Sequence, residues 1–265
     1  MYHDVVPGGR WDESGFAGAD AALYKLDREQ FARHLRAVAD AVREKPSLAS
    51  ELKPEHSSSA PARPSSTSAP SGDGAGARAP GTSSVARVPW LLTFDDGGVS
   101  ALTVVADMLE EYGWRGHFFV TTGRVGTPGF LTRAQVRELR RRGHAVGSHS
   151  HTHPQRMARC SPEELLGEWT TSTRFLSDVL GEPVAVASVP GGYYARKVAE
   201  AAARAGVRQL FSSEPTARAF EVEGCLVLGR YSVQRWTTPG TVARIVAGRL
   251  IPRLRQRAFW EAKKV

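Results

Sequence analysis

The chain has only two cysteines in 265 residues, no apolar run long enough to cross a bilayer, and no histidine beyond His153. Cys160 and Cys225 are too few for a disulfide framework and too far apart for a thiolate metal site, which leaves two ordinary reduced thiols. A membrane-spanning helix needs roughly 20 consecutive apolar residues, and no segment approaches that. The opening MYHDVVPGGRWDESG lacks the basic and apolar regions of a secretory signal peptide. The expected location is therefore the cytoplasm or the inner face of the membrane. Residues 45–86 contain no aromatic residue but six prolines and eleven serines, too little apolar surface to offset the entropy of ordering. A disordered insertion is expected there.

The formal charge of +8 would suit a nucleic-acid partner if it were spread over a face, but residues 244–264 hold seven Arg or Lys against one Glu. No nucleic-acid partner is expected. Ile245, Val246, Leu250, Ile251, Leu254, Phe259 and Trp260 alternate with these basic residues. The pattern suits a terminal helix packed on the domain, or a peripheral contact with an anionic membrane or a lipid-linked substrate. Pro252 is expected to break a long helix here. No feature specifies an oligomeric state.

What is present is an α/β alternation. A strand-like opening, Tyr2 to Val6, precedes a helix beginning near Asp27 with Phe31, Leu35, Val38 and Val42 on one face. After the insertion, apolar runs at Pro89 to Phe94, His117 to Thr121, His144 to Gly147 and Val184 to Val189 each lead into a helical pattern. Thr132 with Gln135 and Ser161-Pro162 with Glu164 read as helix starts, and Gly113, Gly143, Gly181 and Gly206 as helix ends. Further runs at Val207 to Phe211 and Leu226 to Val233 bring the count to about seven strands, which favours a barrel over an open sheet. The expected organisation is residues 1–44 as a strand and helix of the barrel, 45–86 as insertion, 87–240 as catalytic core and 241–265 as a basic helical segment.

Two constellations carry chemistry. Thr93-Phe94-Asp95-Asp96-Gly97-Gly98 places adjacent carboxylates at a strand end, where barrels build active sites. Neighbouring side chains leave a strand in opposite directions, so one aspartate can ligate a metal while the other faces the metal's water. His149 and His153 lie four residues apart in Gly147-Ser148-His149-Ser150-His151-Thr152-His153-Pro154, and one helix-like turn would aim both rings at one point. Two imidazoles and a carboxylate leave positions open for water and substrate, as a hydrolytic divalent metal requires. His117 and His144, in strands, are read as packing residues and His151 as facing away from the ligands, and none of the three is given a metal role. Tyr193, Tyr194 and Trp236 are candidates for an aromatic stacking surface.

These segments, with Val189-Pro190-Gly191-Gly192-Tyr193-Tyr194, resemble the polysaccharide deacetylase family, the carbohydrate esterases with a NodB homology domain. The resemblance covers roughly residues 88–235. It implies a distorted (β/α)7 barrel, Asp95 as catalytic base, and Asp96, His149 and His153 as ligands of one divalent ion. Zinc is the expected ion, with other first-row metals open. It further implies Pro190, Gly191, Gly192 and Tyr193 as the oxyanion and substrate loop, and removal of N-acetyl groups from an N-acetylhexosamine-containing glycan.

The chain departs from the family pattern three times, one departure being the insertion at 45–86 between the front strand and the main barrel. The usual Arg before the prolines of the third motif is absent, and Arg230 is the candidate to orient the base in its place. The usual histidine near the C-terminal end of the domain is also missing. Tyr2-His3-Asp4-Val5 is similar to the opening strand of the circularly permuted poly-N-acetylglucosamine deacetylases, which makes His3 the candidate general acid and Asp4 a candidate to orient it. The alternatives are hydrolysis of another non-peptide C–N bond or an O-acetyl ester, and a silent glycan-binding barrel.

Overall fold

The computed structural model describes residues 1–52 and 89–264. In chain order its elements are β1 (Val5–Val6), α1 (Ala19–Ala22), β2 (Leu26–Asp27), α2 (Arg28–Ala41), β3 (Thr93–Phe94), α3 (Asp107–Glu110), β4 (His117–Val120), α4 (Arg133–Arg141), β5 (Ala145–Ser148), α5 (Pro162–Leu180), β6 (Val186–Ser188), α6 (Arg196–Arg204), β7 (Gln209–Phe211), β8 (Ala219–Val222), β9 (Cys225–Leu228), α7 (Pro239–Val246) and α8 (Leu250–Lys264). Among the described residues no helix is long and apolar enough to cross a membrane.

The helices begin where the sequence offers caps. Asp27 accepts the Gln30 N–H at 2.7 Å to start α2. Thr132 with Gln135, and Ser161 with Glu164, form reciprocal capping boxes at α4 and α5. α2 buries Phe31, Leu35 and Val38 and packs on α7.

One seven-stranded sheet runs in the order β3-β4-β5-β6-β7-β9-β8. Its neighbours are parallel except for β8, which is antiparallel to β9. The β8–β9 hairpin turns through Glu223 and Gly224, both with positive φ, at 50° and 74°. The sheet curls, and the first two residues close it. On one side the Tyr2 N–H donates to Thr93 O at 2.8 Å and the Asp95 N–H to Tyr2 O at 3.0 Å. On the other the Val233 N–H donates to Met1 O at 2.9 Å. The rings of Tyr2, Phe94 and Phe118 then stack in succession inside the core.

Three expectations change. The expected front strand divides, with Tyr2 in the barrel seam and Val5–Val6 pairing with Leu26–Asp27. Residues 45–52, read from composition as the start of the insertion, are packed against the barrel floor. There the Ala49 N–H donates to His117 Nε2 at 2.8 Å, Gln209 Nε2 donates to Ala49 O at 3.0 Å, and Ala49 is buried with Phe119 and Phe211. The remainder of the expected insertion, 53–86, lies outside the described residues. Pro252 does not break the C-terminal segment. The break falls at Gly248, with φ 78°, and Pro252 sits in the first turn of α8, where no backbone donor is needed.

Candidate active site

Asp95 and Asp96 follow β3 at the carboxyl ends of the parallel strands. Asp96 has φ 75° and Gly97 φ 79°, a left-handed pair that turns the chain sharply and sends the two carboxylates different ways. Both are buried, at 5% and 7% exposure. His149 and His153 come from the loop after β5. They converge through a bent loop rather than the expected helical turn, because Ser150 and His153 take φ of 60° and 63°. That bend is held from α5, where Glu168 accepts the N–H groups of His151 and Thr152, each at 2.8 Å, and the Thr152 hydroxyl at 2.6 Å. His151 is turned aside onto Thr122 Oγ1 at 2.9 Å.

Nε2 of His149 and Nε2 of His153 stand 3.4 and 3.5 Å from Asp96 Oδ1. Donors about 2.1 Å from one tetrahedral centre are about 3.4 Å apart, so these separations fit a shared divalent ion. The donor set agrees, since the three ligand atoms lie within 4.8 Å of one another and all come from imidazole or carboxylate. Nδ1 of His149 faces Ser188 Oγ at 2.6 Å and Ser188 O at 3.2 Å, which leaves Nε2 to point at the metal position. Burial alone would push the Asp96 carboxyl up, but the neighbouring His3, His149 and His153 imidazoles hold it well below the usual range.

Arg230, just beyond β9, meets Asp95 in a two-bond fork, Nη1 to Oδ1 at 2.7 Å and Nη2 to Oδ2 at 2.8 Å. The guanidinium is itself fixed by Nε to Ser212 O at 3.0 Å and lies over the rings of Phe119 and Phe211. Ser188 Oγ adds a third contact to Asp95 Oδ1 at 3.3 Å. Burial opposes ionisation of Asp95, and Arg230 overrides it, so the carboxyl lies below its ordinary value.

His3 enters from the seam strand and lines the same cavity as Asp95, Asp96, His149 and His153, with a volume of about 480 Å³. Its ring packs on Tyr24 with centroids 4.9 Å apart, and its buried Nδ1 has no hydrogen-bond partner among the described residues. Burial lowers the His3 imidazole below its ordinary pKa, against the upward pull of Asp96 and Asp95. Asp4 is not placed to orient His3. It points the other way along the strand, and its Oδ1 accepts from Ser14 Oγ at 2.6 Å and Ser100 Oγ at 2.8 Å.

From the third motif, Gly191 and Tyr193 line the cavity and Pro190 is buried. Gly191 and Gly192 take φ of 62° and 74°, and a Cβ on either would come within 2.4 Å of Gln155 O or of the Ser213 side chain. The Gly192 N–H is already bonded to Val189 O, which removes it as an oxyanion donor. Tyr194 turns to Phe220 and leaves the site, and Trp236 lies outside this cavity.

Sequence reasoning misses Ser188, Glu168, Phe16 and Trp260. Ser188 carries the one legible signal, since it stands two residues before Pro190 where the pattern leads one to look for an Arg. Phe16 packs on the His153 ring at 4.5 Å, and Trp260 of α8 lies 6.0 Å from Tyr193.

Among known proteins, the family model for polysaccharide deacetylase matches residues 83–210. The polysaccharide deacetylase relative YxkH of Bacillus subtilis (strain 168) is 25% identical over 143 residues, 54% of this chain and 50% of that protein. The chain thus spans about half the length of that relative. Two solved structures share the fold along most of both chains. The Streptococcus pyogenes deacetylase PplD, in complex with acetate, gives a TM-score of 0.61 at 20% identity over 90% of this chain and 92% of its own. IcaB from Ammonifex degensii gives 0.59 at 18% identity over 93% of each. The family match takes in the strand-end aspartates and the histidine loop, and over residues 83–210 the chain is similar to polysaccharide deacetylases.

Proposed function

We propose that the protein is a metal-dependent hydrolase that removes acetyl groups from the nitrogen of an N-acetylhexosamine-containing glycan, releasing acetate and leaving a free amine. The observation that carries this reading is the Arg230 fork on Asp95 directly beside the Asp96, His149 and His153 set. A barrel that only bound sugars would have no use for a buried carboxylate kept ionised next to three converging ligands.

Asp96, His149 and His153 would hold the ion, with zinc suited to two imidazoles and one carboxylate. When bound it polarises the acyl oxygen and eases deprotonation of water. Asp95 is the group to take that proton. Its Oδ1 is occupied by Arg230 and Ser188, whereas Oδ2 receives one bond from Arg230 and keeps a lone pair free. Arg230 keeps the carboxylate ionised and fixed in orientation at some cost in basicity. His3, across the cavity, protonates the departing nitrogen. A buried imidazolium of lowered pKa is a stronger acid, which suits so poor a leaving group. Backbone N–H groups of Gly191 or Tyr193 are the remaining loop donors toward the acyl oxygen.

The test is amine release from N-acetylglucosamine oligomers by metal-loaded wild type, Asp95→Asn and His3→Ala. A fall of about 10²- to 10⁴-fold in kcat is expected for each, with bound metal unchanged. Turnover that survives Asp95→Asn rejects the base assignment, and unchanged kinetics in His3→Ala reject the acid.

A further inference from the structure

Beside the candidate active site lies a second and larger cavity of about 910 Å³ between the barrel rim and α8. The two adjoin, because Tyr24, Ser213, Ser232 and Trp260 line both. Their charges differ. Asp20, Asp95 and Asp96 line the first, whereas among the described residues no Asp or Glu lines the second. Instead Arg244 from α7, Arg249 from the turn before α8 and Arg255 from α8 all face it. None of the three is paired with a carboxylate among the described residues, although Arg140, Arg141, Arg142 and Arg196 all are.

Three unneutralised guanidinium groups on one concave surface repel one another, and an anion relieves that repulsion. Their planar forks match tetrahedral or carboxylate oxygens better than any neutral sugar hydroxyl. Trp236 and Phe259, each 59% exposed, flank the arginines and offer faces on which sugar rings stack. A flat membrane surface does not enter a concavity, whereas an extended chain reaching past Trp260 from the first cavity meets the second.

We propose that this cavity is a subsite for a phosphate-bearing glycan, with the reacting acetamide at Asp95 and phosphate on Arg244, Arg249 and Arg255. The inference rests on the deacetylase reading and narrows its substrate class. Phosphate can reach the groove as a substituent of the glycan or as the linkage to a lipid carrier. The recognition chemistry is the same in both.

The experiment compares amine release from neutral N-acetylglucosamine oligomers, the same oligomers carrying phosphate, and the phosphate-linked oligomers bearing a short prenyl chain. Phosphate should raise kcat/KM about ten- to a hundredfold, mainly through KM, and 0.5 M salt should erase most of the gain. The triple variant Arg244→Gln, Arg249→Gln, Arg255→Gln should lose the gain while turning over the neutral oligomer as before. A further gain from the prenyl chain assigns the lipid-linked source, and equal rates with and without it assign the free phosphoglycan. Equal kcat/KM on neutral and phosphorylated oligomers overturns the proposal, as does a gain that survives the triple variant or is matched by a uronate-bearing oligomer. Retention on phosphatidylglycerol vesicles without discrimination among soluble oligomers assigns the arginines to a membrane surface and overturns it too. Equilibrium binding of neutral and phosphorylated oligomers to metal-free protein is measured in parallel. Selective binding without any amine release supports the subsite while rejecting the deacetylase reading.

Discussion

Arg230 and Asp95 are 135 residues apart in the chain and form a buried two-bond pair in the structure. Such a pair is costly to break, because removing the cation leaves an uncompensated buried carboxylate. In Arg230→Met the Asp95 pKa should rise, so the base form is lost from a higher pH downward. The acid limb of the kcat/KM profile should therefore shift to higher pH. Arg230→Lys keeps the charge but not the fork, and should lower kcat/KM by about ten- to a hundredfold with bound metal unchanged. A profile that does not move in Arg230→Met rejects the electrostatic role. Arg230 is nominated from sequence only because the third motif has no Arg, and the fork itself is not legible there. Ser188 is marked only by its place two residues before Pro190, and Glu168 is less legible still, since a glutamate in a helix has no distinctive pattern. Their contacts to His149 Nδ1 and to the His151 and Thr152 N–H groups exist only once the strands and α5 are assembled.

Local signals carry furthest at the level of elements. The caps at Asp27, Thr132 and Ser161 act within three residues, so the chain spells them out. The β8–β9 hairpin escapes notice because Glu-Gly lacks the usual Asn-Gly or Asp-Gly signature. The loop from Trp11 to Phe16 is a similar case. It has no regular structure of its own, yet buried Lys25 donates all three of its hydrogens to the carbonyls of Trp11, Ser14 and Phe16. That fixes Phe16 against His153. Lys25→Met would leave three carbonyls without donors and should cost about 2–4 kcal/mol of stability. It should also loosen Phe16, so that less metal remains bound after dialysis than in wild type. Full metal retention in a destabilised Lys25→Met protein would confine the lysine to folding.

For the molecule as a whole, the barrel is closed by the residues that begin the chain, and its floor is plugged by the residues that end its first part. The α/β alternation makes the barrel itself legible, because strands and helices keep separate periods. The plug is not legible, because composition assigns residues 45–52 to the insertion while their partners His117 and Gln209 lie 68 and 160 residues away. This contact predicts an acid sensitivity. Nε2 of His117 accepts the Ala49 N–H at 2.8 Å, and Nδ1 faces Leu92 O at 3.1 Å, so the folded protein needs the ring neutral with its proton on Nδ1. Burial lowers this imidazole to about 4. The unfolded chain takes up that proton near pH 6.5 and the folded one only near 4. The contribution is therefore complete above pH 6.5 and is lost as the pH falls through that interval, by about 3 kcal/mol at its lower end. His144, also lowered to about 4 by burial, adds to the same slope. Urea unfolding at pH 7.5 and pH 4.5 should thus show a smaller acid loss in His117→Gln than in wild type, since glutamine can still accept from Ala49 but does not titrate. An equal loss in the two proteins would move the acid sensitivity away from the barrel floor.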